Sequence, residues 1–150
     1  MDSKLQQKLR ERREKAALEA IAGKLSGFSL GFGSVPGGEP PWLRAAIDRF
    51  QDIRTDPDDV ISDETASGEL DAWIQELLTR NGVAGHFYVK THVAREPWVE
   101  CRVAEGGGGW AALVREAIED PWIFLAADLS RLIVICETEY HFAAYASRAD

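Results

Sequence analysis

The spacing of apolar residues predicts helices in the first half of the chain. Apolar positions recur every four residues between residues 3 and 25, a second stripe follows Pro41, and a third runs from Ser67 to Arg80. Pro41 suits the first turn of a helix, where its missing N–H costs nothing, and Asn81-Gly82 suits a helix end. A short alternating segment at residues 28–32 predicts a strand between the first two helices.

The second half of the chain changes to the patterns of strands. HFYVKTHV and PWVECRV alternate apolar and polar residues, which is the period of a strand, and the largely apolar runs WIFLAA, LIVIC and YHFAAYA follow, separated by short polar turns. A helical stripe from Trp110 lies between these two groups. The turns between the last three are too short for a parallel crossover, so these strands pair antiparallel. The pattern predicts one α+β domain over residues 1–150, with N-terminal helices followed by a mostly antiparallel sheet of about five strands and one inserted helix.

The net charge of −8 is unevenly distributed. Residues 1–15 carry six basic and three acidic side chains and are predicted to form a basic, frayed helical extension, while the other 135 residues carry a net −11. Such a body argues against nucleic-acid binding, which needs a basic surface. No apolar run approaches the roughly 18 residues of a membrane span, and the N-terminus lacks an apolar signal region. We therefore expect a cytoplasmic protein that binds no membrane.

The residues that could hold a metal ion or act as a nucleophile are not arranged for either task. His86 and His92 share a strand face, but six strand residues separate their rings by roughly 20 Å, too far for one ion. Cys101 and Cys136 lie among Val and Ile residues, a pattern typical of thiols buried in a core. We expect no metal, no cofactor and no enzymatic activity.

Carboxylates are concentrated in the connector between the second and third helices and around the last hairpin turn. They are Asp56, Asp58, Asp59, Asp63 and Glu64 in the connector, and Glu137 and Glu139 beside the turn. Such a surface is either a hydrated loop that aids solubility or a docking face that steers a basic partner. On the second interpretation, replacing the four connector aspartates slows association with that partner and leaves the melting temperature almost unchanged.

Trp98 is a candidate aromatic contact for such a partner. It starts a strand directly after a proline, and interface hot spots are enriched in Trp, Tyr and Arg. Burial in the core is the competing interpretation, because Trp is highly buried on average.

The end of the chain resembles a known class of proteins. The run DPWIFLAADLSRLIVICETEYHFAAYA, residues 120–146, is similar to the ending of many small bacterial immunity proteins, in which an apolar strand, a short acidic turn and two further strands close the sheet. The resemblance implies a protein that neutralises a cognate toxin by stoichiometric binding. Toxins that attack nucleic acid are basic, so an acidic inhibitor can occlude their cleft. The alternative is a small-ligand or regulatory module whose sheet carries a pocket lined by Tyr88, His92 and His141.

Overall fold

One antiparallel sheet organises the fold. The structure is a computed structural model that describes residues 3–24, 28–32, 39–50, 56–83, 85–91, 98–103, 109–119 and 121–149. Its helices are α1 (Ser3–Lys24), α2 (Pro41–Phe50), α3 (Ser67–Arg80) and α4 (Trp110–Ala117). Its strands are β1 (Phe28–Phe32), β2 (Asp59–Ser62), β3 (His86–Lys90), β4 (Trp98–Val103), β5 (Trp122–Ala126), β6 (Arg131–Glu137) and β7 (His141–Arg148). The strand order is β1-β4-β3-β5-β6-β7-β2, so β1 and β2 form the two edges of the sheet.

The α+β class and the antiparallel sheet predicted from the sequence are confirmed. The count of about five strands was too low, since the described part of the chain contains seven. The helices also do not all precede the strands, because β1 follows α1 and β2 follows α2. The alternating segment at residues 28–32 does form β1, which pairs with β4.

Strand β2 lies inside the segment that the sequence presented as an acidic connector. It pairs with β7, from Asp59 opposite Ala144 to Ser62 opposite His141. Its central residues, Val60 and Ile61, are β-branched and favour extended backbone. The neighbouring carboxylates concealed this signal, although charged side chains are common on edge strands, where they discourage pairing with other chains.

Three helices cover one face of the sheet. α1, α3 and α4 enclose the larger of two hydrophobic clusters, with residues of all three helices packed against the strands. At its centre, the ring centroid of Phe87 lies 5.2 Å from that of Trp110 and 5.7 Å from that of Phe124. Such aromatic pairs contribute about 0.5–1.5 kcal/mol each beyond the burial of their surface.

Among the described helices, α2 covers the opposite face. Its stripe of Leu43, Ala46 and Ile47 is buried in the second hydrophobic cluster. The buried strand residues of that cluster are Tyr88, Trp98, Ile123, Leu125, Leu132 and Val134. A ten-residue helix is about 15 Å long, whereas six spacings between seven strands measure about 29 Å. Because α2 is much shorter than the sheet is wide, its packing depends on a few large side chains in the middle of the sheet.

An ion pair joins α3 to α4, and its loss gives a testable prediction. Arg115 Nε lies 2.7 Å from Asp71 Oδ1, and the two side chains are only 20% and 16% exposed. We expect Arg115→Ala to lower the free energy of unfolding by about 2 kcal/mol, because it leaves a mostly buried carboxylate without its partner. Urea unfolding measures the change, and the double variant with Asp71→Ala should lose less than the sum of the single losses. A loss below about 0.5 kcal/mol would contradict the prediction, because an exposed surface ion pair contributes that little.

Candidate functional site

The seven candidate carboxylates gather at the β2 edge of the sheet. Asp56 and Asp58 precede β2, Asp59 begins it, and Asp63 and Glu64 follow it. Glu137 ends β6, and Glu139 lies in the turn between β6 and β7. We call residues 56–65 and 137–140 together the acidic edge. Because β2 pairs with β7, two sequence segments that are far apart form this one surface.

Two adjacent turns of the acidic edge are held together by their backbones. The N–H of Asp63 donates to the carbonyl oxygen of Tyr140 at 3.1 Å, which ties the turn after β2 to the turn before β7. Within the first turn, the N–H of Glu64 donates to Ser62 Oγ at 3.1 Å. Within the second, Thr138 Oγ1 donates to the carbonyl of His141 at 2.9 Å. The position of the turns is therefore fixed by bonds that do not use the carboxylates of Asp63 and Glu64.

Two large apolar side chains are exposed on the acidic edge. Tyr140 is 66% exposed and Val60 is 48% exposed, while the side chains of Asp63, Glu64 and Glu139 around them are exposed as well. Neither apolar residue was predicted from the sequence to belong to the site. The available signal was one aliphatic and one aromatic side chain placed within otherwise acidic segments. An exposed tyrosine within a charged rim has the composition of a protein-binding surface.

Asp58 and Asp59 have structural roles at the start of β2. Asp58 Oδ2 accepts a hydrogen bond from the N–H of Ala146 at 2.7 Å, where β7 extends beyond its partner strand. Asp59 Oδ1 accepts from the N–H of Val60 at 2.9 Å, and its Oδ2 lies 3.2 Å from Arg80 Nη2. The N–H of Val60 is thus occupied and is not offered to a strand of another molecule.

These hydrogen bonds change the melting temperature that we expect for the variant in which the four connector aspartates are replaced. Losing Asp58 and Asp59 removes charge-assisted hydrogen bonds, each of which contributes about 1 kcal/mol when partly exposed. The melting temperature should therefore fall, contrary to the prediction from the sequence. Asp63, Glu64 and Glu139 are the better residues for testing a charge effect, because their replacement leaves these bonds in place.

Trp98 does not lie at the surface, which corrects its interpretation as a partner contact. Its side chain is 1% exposed and belongs to the cluster under α2. Its indole N–H donates to Glu39 Oε1 at 2.8 Å, so the polar atom of the ring is satisfied within the chain. The position after a proline did not leave the ring half covered, because α2 packs over it.

Two clefts flank the start of β2. The first has a volume of about 390 Å³ and lies between the end of α3 and the sheet, with Asp58, Asp59, Arg80 and Asn81 on its wall. The second has a volume of about 160 Å³ and lies on the α2 face. Asp58 and Tyr145 line both clefts. The first cleft places carboxylates and a guanidinium within one concave surface.

A separate polar cluster lies on β3 and β4. Glu100 Oε2 is 3.0 Å from His86 Nε2 and accepts a hydrogen bond from Tyr88 OH at 3.3 Å. The hydrogen bond with His86 is the main reason that the pKa of Glu100 is below its ordinary value. Burial, and then the charge of Glu100, raise the pKa of Tyr88. The cluster is half-buried and holds a carboxylate in its charged form.

The pKa of Glu100 predicts a pH dependence of stability. Because the folded protein lowers this pKa, the carboxylate contributes stability at neutral pH, and that contribution disappears as the pH falls below the ordinary value of 4.5 toward the lower folded value. We expect wild type to lose more stability than Glu100→Gln between about pH 6 and about pH 3. Thermal unfolding across this range measures the difference. Parallel pH profiles for the two proteins would contradict the prediction.

The residues proposed to line a ligand pocket are not brought together. Tyr88 is buried and bonded to Glu100, whereas His141 is exposed at the start of β7. Strands β5 and β6 lie between their two strands. The third residue, His92, lies outside the described residues.

One of the two cysteine thiols lies in the hydrophobic core. Cys101 is fully buried, as the apolar pattern predicted, and burial raises its pKa to about 12. A thiol of this kind stays protonated near neutral pH. Cys136 is half-buried on β6.

Within the described ranges, no three His, Cys, Asp or Glu side chains are grouped so that they could hold a metal ion. None of the described helices has the length and apolar character needed to cross a bilayer.

Comparison of the chain with protein-family models, curated proteins and solved structures finds no match.

Proposed function

We propose that this protein binds a basic protein through its acidic edge. The observation that carries the proposal is the arrangement of the two joined turns, which place Asp63, Glu64 and Glu139 around Tyr140, with Val60 exposed on the adjoining strand. Exposed carboxylates attract a basic partner over about 10 Å at 0.1 M salt. The phenol and the isopropyl group then supply surface whose burial holds the complex.

The partner in this proposal is a cognate bacterial toxin that the protein neutralises in the cytoplasm. The support comes from the resemblance of residues 120–146 to the ending of immunity proteins, together with the net −11 of residues 16–150. A toxin that cleaves nucleic acid has a basic cleft, and a complementary acidic surface can occlude it. The proposal assigns the protein no bond-making role, and it includes no nucleic-acid or membrane partner.

Titration against the product of the adjacent gene tests this function. Because the gene of an immunity protein usually lies beside the gene of its toxin, the product of the adjacent gene is the partner to test. Isothermal titration calorimetry is expected to show a one-to-one complex, and coexpression is expected to restore growth to cells that make the toxin. Absence of a complex at micromolar concentration would overturn the proposal.

A ligand-binding role at the first cleft is the second candidate function. The cleft volume of about 390 Å³ falls in the range of small-molecule sites. Asp58 and Arg80 on its wall suit a ligand that carries both an amine and a carboxylate. Thermal unfolding in the presence of free amino acids tests this role. A melting temperature that rises with the concentration of one of them supports the role, and unchanged melting with all of them argues against it.

A further inference from the structure

In the part of the chain that the structure describes, four large hydrophobic side chains are exposed, and they form two pairs. Leu5 and Leu9 are 60% and 44% exposed and lie on α1, while Val60 and Tyr140 lie on the acidic edge. The first pair is surrounded by basic residues and the second by acidic residues. The two surfaces are therefore complementary in charge, and each offers apolar area.

The first surface is the N-terminal half of α1, residues 3–15, which we call the basic arm. Leu5 and Leu9 are four residues apart, so they lie on the same side of the helix, and Lys4, Lys8 and Arg12 adjoin them. Every side chain from residue 3 to residue 10 is exposed. The packed part of α1 is its C-terminal half, where Ile21 enters the core. The arm is thus a preformed helix that does not lie on the acidic edge of its own chain.

The two surfaces are of comparable length. Thirteen helical residues span about 20 Å. The four residues of β2 span about 13 Å, and the turn carrying Asp63 and Glu64 extends the edge further. A helix laid along β2 is therefore long enough to cover the edge, with its apolar side towards the exposed Val60 and Tyr140 region and its basic residues near the flanking carboxylates.

We propose that the basic arm of one copy binds the acidic edge of a second copy, and that the reciprocal contact closes a two-fold dimer. Each chain carries both surfaces, so two identical contacts form at once and double the buried area. A second copy fits better than nucleic acid as the occupant of the arm, because the net −11 of residues 16–150 repels phosphates. The inference stands apart from the proposed function, although a basic partner on the same edge would displace the arm.

Charge reversal in the full-length chain tests the dimer. The arm variant carries Lys4→Glu and Lys8→Glu, and the edge variant carries Asp63→Lys and Glu64→Lys. Each variant alone is expected to have a dissociation constant at least about tenfold above that of wild type, because like charges then oppose each other. An equal mixture of the two variants should restore the dimer as a heterodimer, since each arm then meets an edge of opposite charge.

Sedimentation velocity at about 20 mM and about 500 mM salt measures the association, which should weaken as screening increases. A control matched to the arm variant, Arg44→Glu with Arg148→Glu, makes the same change in net charge at two exposed positions on α2 and β7. Its dissociation constant should stay within about threefold of wild type. The proposal is overturned if wild type stays monomeric at about 100 µM in low salt. It is also overturned if the arm variant associates like wild type, or if the mixture stays monomeric.

Discussion

Replacing Trp98 by alanine will lower the free energy of unfolding by about 3–5 kcal/mol, a large part of the stability of an ordinary domain. The indole is 1% exposed and belongs to the same cluster as Leu43 of α2. Its removal leaves a cavity beneath the one described helix on that face of the sheet. It also removes the N–H that donates to Glu39. Urea unfolding followed by circular dichroism measures the loss.

Trp98→Phe separates the packing of the ring from its hydrogen bond. Phenylalanine fills most of the space but has no N–H, so we expect a smaller loss of about 1–2 kcal/mol. Glu39→Gln keeps an acceptor for the indole and should stay close to wild type. If Trp98→Ala unfolded at the urea concentration of wild type yet lost partner binding, Trp98 would be a surface contact after all.

If the acidic edge binds a basic protein as we propose, neutralising its exposed carboxylates will slow association with that protein about tenfold at low salt. The variant combines Asp63→Asn, Glu64→Gln and Glu139→Gln. It removes three negative charges near Tyr140 while leaving the backbone bonds that join the two turns. The melting temperature should therefore change little. Stopped-flow mixing with the product of the adjacent gene measures the association rate.

A control variant with the same net charge isolates the effect of position. Glu19→Gln, Asp48→Asn and Glu76→Gln also remove three negative charges, but they lie on α1, α2 and α3, outside the acidic edge and the basic arm. Association of this control should stay within about threefold of wild type, and the difference between the two variants should shrink as salt is added. Equal slowing in both variants would assign the effect to net charge alone.

The helices could be predicted from the sequence because their signals are local. α2 begins at Pro41, and α3 ends at Arg80 before Asn81-Gly82, as the apolar stripes and the end signals predict. The strands of the second half were predicted from local signals as well: β3 and β4 from their alternation, and the last three from apolar runs bounded by short polar turns. Burial of Cys101 also followed from its apolar neighbours.

What the sequence did not reveal depends on contacts between distant segments. β2 has only four residues and is stabilised by pairing with β7, so its flanking aspartates looked like a solvated connector. The burial of Trp98 likewise depends on where α2 packs. The carboxylates of the candidate site were predicted, but their grouping around Tyr140 follows from the hydrogen bond between Asp63 and Tyr140.

Hydrogen exchange of the complex tests the central claim, that the acidic edge is the surface that binds a basic protein. Backbone exchange is measured by mass spectrometry in the free protein and after addition of the product of the adjacent gene. We expect slower exchange in peptides that cover residues 59–65 and 138–141, with little change across α4. Protection confined to other parts of the chain, with these two turns unchanged in a saturated complex, would contradict the claim.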